Sequence, residues 1–143
     1  MNDMACASLQ RKPIPADALR RLGVVAVYLF GSQAEGTAGA ASDIDLGIVR
    51  AQPLRGQADA GELYQALYGI FTDVFDMSGF RDIDIAFLDS ASLELRFDAI
   101  SHGKVVFDDD AHARLDFEER TAALYRDFQP LREESDRAVL QRI

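Results

Sequence analysis

Residues 24–30, Val-Val-Ala-Val-Tyr-Leu-Phe, form an unbroken apolar run of β-branched and aromatic side chains that stops at Gly31-Ser32. A half-exposed strand alternates apolar with polar residues; this one does not, so both of its faces must be covered. Covering both faces takes helices on either side of one sheet, which excludes all-helical and single-layer folds. Seven residues are also far short of the roughly 20 that a membrane span needs.

The flanking patterns agree with a layered fold. Pro13 and Pro15 bracket a start signal, and residues 16–22 read as a short helix stopped at Gly23. Residues 1–12 are expected to be a frayed lead-in. Residues 43–49 alternate, with Ile44, Leu46 and Ile48 on one face and Asp43, Asp45, Gly47 and Val49 on the other. Residues 52–61 are rich in Gly, Gln and Asp and are expected to form a surface loop. From 62 to 77 the apolar residues Leu63, Ala66, Leu67, Ile70, Phe71, Val74 and Phe75 recur at helical spacing. Residues 82–88 alternate again, placing Asp82, Asp84, Ala86 and Leu88 opposite Ile83, Ile85 and Phe87. A helix over 93–101, a strand over 104–107 and helix to the end follow, with a helix start at Asp108-Asp109-Asp110 and a helix boundary expected near Pro130. The expected fold is α/β (α+β), a small mixed β-sheet flanked by helices. At 143 residues the chain is expected to make a single domain, 1–143, with 108–143 a C-terminal helical segment.

Charge narrows the partners. Twenty-four acidic against fifteen basic residues give a net charge of −9, which argues against direct nucleic-acid or anionic-membrane binding, since both depend on cationic surface. Cys6 is the single cysteine, so no internal disulfide forms, and His102 and His112 are too few for a His-rich zinc centre. The first dozen residues lack the apolar core of a signal peptide, so the expected location is cytoplasmic. No Gly-x-x-x-x-Gly-Lys-Ser/Thr motif occurs, which excludes a P-loop NTPase.

Three features carry the chemistry. The buried strand runs into Gly31-Ser32; ten residues later comes Asp43-Ile44-Asp45; a third strand carries Asp84. Gly31 permits a sharp turn and close approach of backbone to a ligand. Ser32 offers a hydroxyl and an N–H to a phosphate oxygen. Asp43 and Asp45, two apart on one strand, emerge on the same face. Crowded carboxylates suit a hard divalent cation such as Mg²⁺ whose octahedron substrate phosphates complete, and two such ions clamp the oxygens of an in-line phosphoryl displacement. On spacing alone, a metal–nucleotide site and a solvated strand edge stand as even alternatives. Asp82 shares the expected polar face with Asp84. His102 reads as a helix C-terminal residue, Lys104 as solvated, and Tyr64, Tyr68, Phe71 and Phe75 as core or interface. Arg120, Arg132 and Arg137 alternate with Glu118, Glu119, Glu133 and Asp136 as on a solvated helix face.

Gly31-Ser32, ten residues, then Asp43-x-Asp45 resembles the signature of the nucleotidyltransferase superfamily that includes DNA polymerase β. Within it, Tyr28-Leu29-Phe30-Gly31-Ser32-Gln33-Ala34 and Ser42-Asp43-Ile44-Asp45-Leu46 are similar to the minimal nucleotidyltransferases, antitoxins paired with HEPN-domain ribonuclease toxins. The resemblance extends through Asp84–Asp89, the stretch around His102-Gly103-Lys104, and the tail Tyr125-Arg126-Asp127-Phe128-Gln129-Pro130. It implies a polymerase β-like fold, two Mg²⁺ ions, ATP as substrate, and transfer of AMP to a tyrosine of a HEPN toxin in a hetero-oligomer. It implies Asp43, Asp45 and Asp84 as metal ligands and catalytic carboxylates, and Gly31, Ser32 and Ser42 as nucleotide-binding residues. The family register, in which the third aspartate precedes an Asn or Asp by five residues, selects Asp84 and leaves Asp82 a solvated strand end. Glu35 departs from the Arg of many relatives and brings a negative charge near the triphosphate. The rival readings are an antitoxin that acts by binding alone and a transferase acting on a small molecule such as an aminoglycoside.

Overall fold

Every residue of the first strand, β1 (Val24–Phe30), is buried, as its composition requires. The computed structural model describes residues 10–31, 43–51, 57–78 and 82–141. In chain order these hold α1 (Ala16–Arg21), β1, β2 (Ile44–Arg50), α2 (Gln57–Val74), β3 (Ile83–Phe87), a 3-10 turn (Leu88–Ser90), α3 (Leu93–His102), β4 (Lys104–Asp108) and α4 (Ala111–Gln141). The strands lie in the order β3-β2-β1-β4. β1 is antiparallel to β2 and β4, whereas β2 and β3 are parallel and joined through α2. The sheet is therefore mixed, with helices on both faces.

Alternation divides the core in two. Val27, Leu29, Ile44, Leu46, Ile48, Ile83 and Ile85 face one way, against Leu19 of α1 and Leu63, Leu67 and Phe71 of α2. Val25, Tyr28, Phe30 and Val49 face the other, against Leu88, Ala99 of α3 and Phe117 of α4. Burying one such large side chain contributes about 1.5–3 kcal/mol relative to leaving it exposed. Tyr28 also brings a hydroxyl inside, and it donates to Glu118 Oε1 at 2.7 Å. Arg114 holds both Glu118 (3.0 Å) and Asp108 (2.8 Å), so one network ties α4 to β1 and β4. Burial first, and the Glu118 bond second, push the Tyr28 phenol well above its ordinary pKa.

Several expectations need correction. Residues 57–61, expected as loop, are the first turns of α2, where Asp59 complements the positive end of the helix dipole. That helix stops at Val74, short of 77, because the chain's lead-in docks there. Arg11 N–H donates to the Val74 carbonyl at 2.7 Å, and Gln10 forms a bridge with Phe75, so residues 10–12 are pinned instead of frayed; a helix-end carbonyl gains its missing partner. No boundary occurs at Pro130, which lies inside α4. Proline removes one N–H and frees one carbonyl, and on this exposed stretch water can satisfy that carbonyl. Of the acidic triplet only Asp110 caps α4, accepting the Ala113 N–H at 3.1 Å. Asp108 ends β4, and Asp109 binds the Arg20 guanidinium through both oxygens. The Lys104 ammonium is buried, not solvated.

Candidate active site

The ends of three strands build the site. At the exit of β1, Gly31 adopts φ +73°, a left-handed conformation that side chains disfavour. A Cβ there would also collide with the Asp45 carboxylate. The bare backbone of Gly31 therefore lies directly against that carboxylate, and only glycine satisfies both demands.

Asp45 sits opposite Phe30 across the β1–β2 ladder and opposite Asp84 across the β2–β3 ladder. The parallel register thus sets Asp45 and Asp84 side by side on adjacent strands. Asp43 stands just before β2, exposed to solvent like Asp84, while Asp45 is half-buried. Burial, then the negative charges of Asp84 and Asp43, raise the Asp45 carboxyl above its ordinary pKa. Among the described residues, none of the three aspartates pairs with an Arg or Lys side chain. Such a donor set, all oxygen, anionic and mutually repelling, fits a hard divalent cation. The three do not converge into a ready-made cage: no group of three potential ligands stands at metal-binding spacing among the described residues.

Asp82 is exposed just before β3, a solvated strand end, and it also makes specific bonds. Its Oδ1 accepts the Tyr68 hydroxyl at 2.7 Å and the Ile83 N–H at 2.8 Å, and these bonds hold its carboxyl below the ordinary pKa. Tyr68 belongs to the apolar stripe of α2 and packs against the core, but its hydroxyl reaches the edge of the site. Helical periodicity identified its ring and was silent about its oxygen; a phenol among phenylalanines on one stripe was the available signal. Ser32, Ser42 and Glu35 lie outside the described residues. A surface groove of about 780 Å³ between Lys12–Pro15 and α2 is not lined by the three aspartates.

Comparisons with known proteins point the same way. The profile of the family described as Polymerase beta, Nucleotidyltransferase matches residues 17–112, which include Gly31, Asp43, Asp45 and Asp84. The chain is similar to one from a crystal structure of a toxin–antitoxin pair with AMP-PNP, at 28% identity and a TM-score of 0.65, over 87% of this chain and 94% of that one. It is similar to one from the MntA–HepT toxin–antitoxin structure at 25% identity and a TM-score of 0.61, over 87% and 92% of the two chains. A third match comes from the tri-AMPylated Shewanella oneidensis HEPN toxin in complex with an MNT antitoxin. Here the TM-score is 0.62 over 98% and 99% of the chains, and the identity of 22% supports the fold alone. No curated protein gives a significant match.

Proposed function

The chain belongs to the polymerase β nucleotidyltransferase family, and from that premise we propose that it is an antitoxin that transfers AMP from ATP to a tyrosine of a partner HEPN-type ribonuclease. The observation that carries this reading is the in-register pair Asp45 and Asp84 against the bare backbone of Gly31. Likeness to chains of toxin–antitoxin pairs, one of them with AMP-PNP, supports the choice of partner and nucleotide.

Asp43, Asp45 and Asp84 would hold Mg²⁺, which supplies neutralisation of the triphosphate charge and of the attacking oxygen. Gly31 leaves room for a phosphate to approach the strand end without meeting a side chain. Asp84, exposed at the edge of the pair, accepts the proton of the incoming tyrosyl hydroxyl. That oxygen attacks the α-phosphorus in line, the new O–P bond forms, and pyrophosphate leaves. Positioning and electrostatics carry the reaction, and the protein forms no covalent bond of its own.

Two measurements test this reading. At a hundredfold excess over Kd, ATP with Mg²⁺ should stabilise the fold by about 2.7 kcal/mol. With EDTA the triphosphate faces three uncompensated carboxylates, so most of that thermal shift should vanish; equal shifts with and without metal would contradict the assignment. Separately, Asp84→Ala should eliminate transfer at saturating Mg²⁺ while Asp82→Ala keeps most of it. The reverse outcome would move the third carboxylate two residues along the chain.

A further inference from the structure

Asp43 stands one residue before β2, exposed, and a carboxylate so placed would sample several rotamers unless something held it. Asp82 holds it at two points. The Asp82 N–H donates to Asp43 Oδ1 at 3.3 Å, and the Asp82 carbonyl accepts the N–H of Ile44, the next residue, at 2.8 Å. A bond to one carboxylate oxygen orients the group while the other oxygen keeps its lone pairs for a cation.

Asp82 is itself pinned from the core. Its Oδ1 takes the Tyr68 hydroxyl at 2.7 Å along with the Ile83 N–H. Tyr68 stacks on Tyr64 with ring centroids 6.2 Å apart and an interplanar angle of 13°. It sits on α2 beside Leu67 and three residues before Phe71, both fully buried. Hydrogen bonds and packing thus run without a break from the core through α2 to the Asp43 carboxylate.

We propose that Tyr68 and Asp82 are positioning residues for Asp43: the Tyr68 hydroxyl fixes Asp82, and the Asp82 backbone fixes the Asp43 carboxylate for a divalent cation. This rests on the reading of Asp43 as a metal ligand. Partners that orient a metal ligand typically govern affinity by about 10–100-fold, so the effect falls on metal binding before it falls on turnover at saturating metal.

The experiment titrates the full chain with Mn²⁺ alone, a paramagnetic stand-in for Mg²⁺, and reads free Mn²⁺ by electron paramagnetic resonance. Asp82→Ala should weaken binding by about tenfold or more and Tyr68→Phe by several-fold. Asp82→Asn should stay within about twofold of the parent, because the amide oxygen still accepts both bonds. Melting temperature and circular dichroism identify any variant that fails to fold, and Tyr68→Phe removes a single oxygen from an otherwise unchanged ring. Asp82→Ala and Tyr68→Phe binding like the parent, with Asp43→Asn weak, would overturn the positioning role and leave the site intact. Asp82→Asn as weak as Asp82→Ala would make Asp82 a direct ligand and likewise overturn it. Parent-like binding by Asp43→Asn would instead sink the underlying reading of the site.

Discussion

Replacing Asp43 or Asp45 by Asn should lower AMP transfer by about 10³-fold or more while leaving the melting temperature of the metal-free protein unchanged or raised. A thousandfold loss corresponds to about 4 kcal/mol of barrier, the scale on which a metal stabilises transition-state charge. The stability half has the opposite sign, for a reason visible in the site. Burial and the charges of Asp84 and Asp43 push the Asp45 carboxyl up, so at neutral pH the fold carries an anion that the unfolded chain accommodates more easily. Asn has nearly the same shape, so the close contact with Gly31 is preserved while the repulsion is removed. Activity by mass spectrometry and melting by scanning calorimetry, on the same preparations, check both halves. A large fall in melting temperature for both variants would mean that these aspartates hold the fold together and do not serve chemistry.

Most of the scaffold was legible because period and burial coincide. The run Val24–Phe30 has no polar position, and the structure buries each of its residues between two helical layers. Ile44, Leu46 and Ile48 enter one core and Val49, on the opposite face, enters the other, as alternation requires. Where the sequence misled, local composition competed with a longer-range contact. Residues 57–61 look like a loop by their Gln, Asp and Gly, yet they open α2. Val74 ends the helix because Arg11, more than sixty positions earlier, supplies its carbonyl's partner, and no local pattern announces that. Proline at position 130 suggests a break, and an exposed helix tolerates it. At the site, Gly31, Asp43 and Asp45 stand out by spacing, whereas only the family resemblance separates Asp84 from Asp82; strand register makes neighbours of Asp45 and Asp84. The Tyr68–Asp82 bond escaped because it joins a helix stripe to a strand end, a pairing that neither periodicity contains.

Incubation with the cognate HEPN-type partner, ATP and Mg²⁺ should add one or more adenylyl groups to a partner tyrosine, read by intact-mass spectrometry. One feature of the chain favours a protein acceptor: α4 carries an apolar stripe that is partly exposed. Phe117 is buried against the sheet, and Tyr125 stacks on Phe97 of α3 with centroids 3.8 Å apart, so that part of α4 packs on its own domain. Leu124, Phe128 and Leu131 continue the same face yet are 40%, 54% and 59% exposed. Side chains at this spacing suit a groove between helices of a partner. An AMP group on a tyrosine near a ribonuclease site adds charge and bulk, and it should repel the phosphates of incoming RNA. Phe128→Asp should therefore slow adduct formation on the partner without altering ATP binding. If no adduct forms, and the Asp43→Asn/Asp45→Asn double variant still neutralises the toxin, inhibition works by binding alone and the transfer reading is wrong. An adduct that disappears with those same substitutions ties neutralisation to the carboxylates beside Gly31.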